Sequence, residues 1–210
     1  MFALVESGSI TKMLNGNTGI TVDGVQHPRT IFTLWTEAER NAIGIYTVEI
    51  DKSKKKDEQW YVNTNITYTF SGGKVTGSYG DATAKAHADT LYTSQDKTDN
   101  KIPEGKDVGD VKTEGLKTVL IRDIKKQAQS ELNRTDWYIT RKSEKDTAIP
   151  SSITTHRDAV RAKQTEMETA ITNASDTPAL ETLYTYVNTA SEGDPVVMER
   201  PIGEIPTLED

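Results

Sequence analysis

Residues 132–161 read LNRTDWYITRKSEKDTAIPSSITTHRDAVR and hold the chain's densest grouping of aromatic, arginine and helix-start signals. Asp136, Trp137 and Tyr138 are consecutive, Arg141 follows, Pro150 interrupts the chain, and His156-Arg157 and Arg161 fall on a new helical pattern beyond it. Trp, Tyr and Arg are the side chains that carry most interface energy, so this grouping reads as docking architecture rather than as an active site. Before it, Leu116, Val119-Leu120, Ile124, Ala128 and Leu132 step by three and four, which predicts one apolar stripe on a helix of about 20 residues. After it, Ser151 or Ser152 is placed to cap a helix running to about Asn173, with Ile153, Val160, Met167, Ala170 and Ile171 inward. Asp176-Thr177-Pro178 starts a last helix with Leu180, Leu183, Tyr184 and Val187 on one face. The expected unit is a three-helix module over 112–192, with Trp137 anchored between its first two helices.

Toward the N-terminus the grammar is that of strands. Phe2–Glu6 and Ile10–Leu14 flank Ser7-Gly8-Ser9, and Gly19–Val22 and Val25–His27 flank Asp23-Gly24, so two hairpins are predicted. Thr36 opens a capping box with Glu39, and Gly44 closes a short helix between them. Ile45–Ile50 and Trp60–Phe70 alternate bulky and polar residues, except at Thr64, and Ser71-Gly72-Gly73 turns the chain into Val75. Residues 1–80 are therefore expected to form a small antiparallel β domain. From Asp81 the run ATAKAHADTLYTSQDK is alanine-rich and reads as a helix, and residues 95–110, polar with Pro103 and nearby glycines, read as a linker, so 81–111 joins the two parts. The fold class is α+β, ending in a Pro-rich tail.

That tail, residues 193–210, carries Val196, Val197, Met198, Ile202, Ile205 and Leu208 between prolines at 195, 201 and 206. Prolines bar a helix and leave an extended or polyproline path, the form in which a segment lies along a partner's groove or sheet edge. A partner-binding arm is expected, the alternative being that it folds back over its own helices.

Composition excludes several function classes. Hydrophobic residues are 34% and aromatics 7% of the 210 residues, so the cores are modest and much of the chain is surface. A net charge of −7, with Lys54-Lys55-Lys56 followed at once by Asp57-Glu58, lacks the basic stripe that nucleic-acid binding needs. The absence of cysteine removes disulfides, thiolate nucleophiles and Cys-based zinc sites together. The start MFALVESGS has neither a basic n-region nor an apolar h-region, and no apolar run approaches the ~20 residues of a membrane helix. No nucleic-acid or membrane partner is expected, and the chain is read as made in a cytoplasm.

Catalytic candidates are weak. His27, His87 and His156 lie far apart in sequence and show no helical metal-pair spacing, so neither a metal nor a cofactor is expected. Asp136 beside Trp137 reads as a backbone cap or ion-pair partner, with Arg141 and Arg157 as counter-charges. The glycines at 72, 73, 77 and 80 lack the Lys-Ser/Thr of a phosphate loop. Trp60, Tyr61 and Tyr68 would suit sugar stacking, although alternating strands more often bury such residues. Glycoside hydrolysis needs two convergent carboxylates about 5–10 Å apart, and no spacing nominates them. No enzyme is expected.

Leu132, Thr135-Asp136-Trp137, Pro150, His156-Arg157 and Val160-Arg161 together resemble the C-terminal module of bacteriophage tail proteins described as tail or tail-fibre assembly chaperones. TEAERNAIGIYTV at 36–48 is similar to a Glu-rich short helix ending in Gly-Ile in their N-terminal part. Where many such proteins follow the Trp with a polar loop containing Pro-Asp, this chain continues Tyr138-Ile139-Thr140-Arg141. The resemblance implies a virion tail or baseplate protein, an adaptor or fibre-associated subunit, with a non-virion assembly chaperone and a carbohydrate-binding or hydrolytic tail module as the alternatives. Its partners would be other tail or fibre proteins, and a homo-oligomer is compatible with that role. The residues expected to bind partners are Trp137, Arg141, Arg157, Arg161, Val196, Val197, Ile202, Ile205 and Leu208.

Overall fold

A computed structural model describes residues 1–208 and places them in a mixed α+β fold of two compact units, Met1–Thr83 and the chain from Ala84 onward. Strand β1 (Phe2–Glu6) pairs antiparallel with β2 (Ser9–Leu14), and Glu6 opposite Ser9 makes the turn the two residues Ser7-Gly8 rather than three. Strands β3 (Ile20–Val22) and β4 (Val25–His27) form the second predicted hairpin about Asp23-Gly24. Helix α1 (Ile31–Leu34) is followed by α2 (Glu37–Ala42), whose capping box is present in full: Thr36 Oγ1 accepts from the Glu39 amide, and the Glu39 carboxylate accepts from the Thr36 amide.

The remaining strands of this unit are β5 (Ile45–Asp51), β6 (Tyr61–Val62), β7 (Thr67–Ser71) and β8 (Lys74–Ser78), and the main sheet runs β2-β1-β5-β8-β7. The sheet is not wholly antiparallel, because β5 and β8 pair in parallel from Val48 opposite Val75 to Asp51 opposite Ser78. After β5 the chain passes to the edge as β7 and returns inside it as β8, which reverses direction twice. Trp60–Phe70 is not one strand either. At Thr64, where the alternation fails, the hydroxyl accepts from the Gly80 amide at 2.6 Å, and Asn63 closes a local pair of bonds with the Lys56 backbone, so the chain leaves the ladder between β6 and β7.

Apolar residues cover both faces of the sheet, which is why β1 reads FALV rather than alternating. Leu4 and Ile45 pack with Ile20, Val22, Ile31 and Phe32 on one face; Ala3, Val5, Val48 and Val75 pack with Ile10, Met13, Tyr68 and Phe70 on the other. Trp60 and Tyr61 are buried, which removes two of the three aromatics that suited sugar stacking.

At the junction lies β9 (Thr83–Ala84), followed by β10 (Thr90–Leu91), α3 (Ser94–Thr98) and β11 (Val111–Thr113). The helix expected from Asp81 does not form, and the reason is tertiary. Leu116 and Lys117 at the start of α4 (Leu116–Asn133) donate to the Ala86 and His87 carbonyls, the Gly115 amide donates to Asp89 Oδ1 at 2.7 Å, and Thr177 Oγ1 donates to the Lys85 carbonyl at 2.6 Å. Residues 85–89 thus supply acceptors to the first amides of α4 and to the Thr177 hydroxyl at the start of α7, and stay non-helical against their alanine propensity. Gly115 is required there: a Cβ would stand 2.3 Å from the Ala88 carbonyl group.

Residues 95–110 are folded rather than a linker. β10 pairs with β11, Thr93 and Asp96 form a second capping box, and Lys112 reaches Asp96 at 2.6 Å. Beyond α4 come α5 (Asp136–Lys145), α6 (Ser151–Asn173) and α7 (Thr177–Tyr184), four helices where three were expected, then the hairpin of β12 (Val187–Asn188) and β13 (Met198–Glu199). Helix α4 buries Leu120, Ile124, Ala128 and Glu131 against the Ile153, Arg157, Val160, Met167 and Ile171 face of α6. Neither Ser151 nor Ser152 caps α6; the Pro150 carbonyl accepts from Ile153 and Thr154 instead. Asp176 caps α7 by accepting from the Ala179 amide.

Candidate functional site

The turn from α4 into α5 is fixed from inside by one side chain. Arg157 of α6 points its Nη1 at the Leu132 carbonyl (2.8 Å), Thr135 Oγ1 (2.7 Å) and Asp136 Oδ1 (2.8 Å), and Thr135 is itself buried and donates to the Leu132 carbonyl. The Arg157 side chain is 9% exposed and its Nε has no partner, so its buried charge is met by this fan of oxygens. Arg157 is therefore internal wiring, and the sequence expectation that it meets a partner directly is corrected by its burial.

With Thr135 held inward and Asp136 tied to Arg157 at the surface, the next residue faces outward. Trp137 is 51% exposed, which overturns its expected role as the anchor between the first two helices; that place is taken by Ala128, Ile124 and Val160. Its indole stacks on Tyr138 with ring centroids 3.7 Å apart, tilted 31°. Arg141, one turn along α5, lies over both rings, its Cζ 4.9 Å from the Trp137 centroid and 5.4 Å from that of Tyr138. The result is an aromatic and cationic platform with Trp137 exposed and Tyr138 and Arg141 half-buried, and with Ile139 also exposed beside it in sequence.

Behind this turn sits a second buried polar centre. Glu131 Oε1 accepts from His156 Nε2 (3.1 Å, in the tautomer that donates), Arg134 Nη1 (3.1 Å) and the Leu208 amide (2.7 Å). Desolvation pushes the Glu131 carboxyl upward, but the Leu208 amide, Arg134 and His156 outweigh it and hold the group below its ordinary value.

The expected partner-binding residues thus divide. Trp137 and Arg141 come together; Arg157 is internal; Arg161 pairs with Asp158 on its own helix. Val196, Val197 and Met198 are exposed on the terminal hairpin, while Ile202 is 2% exposed and donates its amide to the Leu183 carbonyl, and Leu208 is tied to Glu131. Residues 202–208 therefore fold back on their own helices, the alternative left open by the sequence. Sequence reasoning did not single out Glu131; the available signal was a carboxylate three residues after Ala128, on the buried stripe.

Elsewhere, a cleft of about 390 Å³ beside Met13, Leu14, Ile20 and Phe32 carries Lys12 as its one charged side chain. Among the described residues no three His, Asp or Glu side chains are grouped so as to hold a metal ion, and no helix is long and apolar enough to cross a membrane. The chain matches no family model, no curated protein and no solved structure.

Proposed function

We propose that the chain is a docking subunit of a bacteriophage tail, an adaptor or fibre-associated component of the virion that is made in the host cytoplasm and acts through protein contacts rather than by catalysis. The observation that carries this reading is the Trp137–Tyr138–Arg141 platform, in which the exposed Trp137 stacks on the half-buried Tyr138 and Arg141 at a turn that Arg157 and Thr135 hold from inside. Trp, Tyr and Arg dominate interface hot spots, and a preorganised platform loses little side-chain entropy on binding. Four of the residues that carry the resemblance to tail proteins meet there: Thr135, Asp136 and Arg157 build the turn, and Trp137 is what the turn presents. The two-part plan, a β-rich unit and a helical unit, suits an adaptor that grips a tail or fibre protein.

Quantitative mass spectrometry of purified particles is the test. The chain is expected at fixed stoichiometry with the other tail proteins, and a Trp137→Ala, Arg141→Ala variant is expected to fold but to be missing from particles. Abundance in infected cells with none in particles would assign it to the assembly chaperones instead.

A further inference from the structure

Residues 202–208 occupy a seat built from three helices of their own unit. Ile202 is buried and bonds the Leu183 carbonyl at the end of α7 at 3.0 Å, and the Leu208 amide bonds Glu131 of α4 at 2.7 Å. Gly203 sits at φ +72° beside the end of the Lys163 side chain of α6, whose Nζ would lie 2.5 Å from a Cβ there. The stretch before it is held differently. Val187 pairs with Glu199 and Asn188 with Met198, and the Thr189 amide donates to the Val197 carbonyl, all within the hairpin, whose Val196 is 70% exposed. A firmly seated end thus follows a hairpin whose described bonds are largely its own.

From this arrangement we infer that the C-terminal segment is an exchangeable arm, and that the seat on α4, α6 and α7 takes residues 202–208 of a second copy of the chain. The occupant is fixed by what the seat already holds: a groove complementary to this segment in one copy is complementary to it in every copy. Exchange keeps the Ile202, Gly203 and Leu208 contacts and changes only which chain supplies them, so it costs little beyond opening the hairpin and bringing two chains together. Reach is sufficient. Residues 185–199, drawn out, span up to about 50 Å, whereas the 23 residues of α6 measure about 35 Å, so the arm can cross its own helices to a neighbour's. Subunits linked in this way would form closed rings or open chains according to the rotation between them.

The chain contains no cysteine, so single introduced thiols react alone. Ser130 of α4 and Thr207 of the arm line the same groove. Full-length Ser130→Cys and Thr207→Cys chains would be mixed at rising concentration and treated with a short bis-maleimide, with a Lys74→Cys chain in place of Ser130→Cys to set the collision background. A Ser130→Cys, Thr207→Cys chain, dilute, reports the segment in its own seat. The expected result is internal cross-linking of the double variant and a heterodimer from the mixture, several-fold above background, rising with concentration and forming faster when Glu131→Gln weakens the Leu208 tie. Internal cross-linking with a heterodimer yield no better than background would overturn the inference, and so would failure of the double variant to cross-link, since the segment would then not occupy this seat.

Discussion

The Arg157 guanidinium on α6 and the Asp136 carboxylate on α5 lie 2.8 Å apart, yet one side chain is 9% exposed and the other 51%. The pair is therefore asymmetric. Asp136 can return to water if its partner is lost, whereas the Leu132 carbonyl and the buried Thr135 hydroxyl would each lose a charge-assisted donor. Arg157→Ala is expected to destabilise the helical unit by about 2–4 kcal/mol in urea unfolding. Asp136→Ala should cost less, about 1 kcal/mol, because Arg157 keeps two of its three acceptors. Equal effects of the two substitutions would show that the ion pair, not the fan of neutral acceptors, holds the turn.

Trp137 makes the opposite prediction. Half exposed and stacked on its own helix, its truncation to alanine should change stability by less than about 1 kcal/mol, far under the 3–5 kcal/mol of a buried aromatic. Of the three tryptophans, Trp60 is buried and Trp35 is partly buried against the first unit's core, so Trp137, the most exposed, should contribute most to the fluorescence that acrylamide quenches readily. A stability loss on the buried scale would return Trp137 to the core.

These two residues also show where the sequence was legible. Local chemistry is legible: the Thr36-Glu39 box, the Asp23-Gly24 turn, the helix start at Asp176-Thr177-Pro178 and the end of α6 at Asn173 match the structure and rest on bonds between near neighbours, whereas the cap expected from Ser151 or Ser152 does not form. Trp137 was misplaced because composition says that a Trp among helices belongs inside, while its direction is set by Arg157 twenty residues later. Residues 81–93 failed for the same kind of reason, since alanine propensity was overridden by helix starts 30 and 90 residues away that needed their carbonyls. The parallel pairing of β5 and β8 depends on the order in which strands return to the sheet, which no local pattern encodes.

Acid should loosen the second unit through two carboxylates. The Lys112 ammonium, with the Thr93 amide and hydroxyl, holds Asp96 well below the ordinary aspartate range, and Glu131 is also held low, its desolvation outweighed by the Leu208 amide, Arg134 and His156. Both folded values lie below the unfolded ones, so their stabilisation is present in full above the ordinary carboxylate range and is lost as pH falls through about 4 toward the folded values. The urea midpoint of the native chain should therefore drop across this window. Asp96→Asn should be weaker at neutral pH, and its gap from the native chain should narrow as acid is added. A gap independent of pH would mean that the Asp96–Lys112 contact contributes through packing rather than charge.

Gly115 tests whether residues 85–89 seat α4 as described. Its backbone is ordinary, with φ at −83°, so alanine there meets no conformational strain. The difficulty is contact alone, because the new methyl would stand 2.3 Å from the Ala88 carbonyl carbon and oxygen, main-chain atoms that cannot rotate away. Gly115→Ala should force residues 85–89 off the start of α4, breaking the Leu116 and Lys117 amide bonds to Ala86 and His87, at a cost of about 1–3 kcal/mol. Gly105 is the matched control, since a Cβ there meets nothing within 4 Å and pays only for its φ of +80°. Hydrogen exchange separates the two. Gly115→Ala should lose protection at the Leu116 and Lys117 amides while Gly105→Ala leaves them protected, and retention of that protection in Gly115→Ala would show that α4 starts independently of the 85–89 segment beside it.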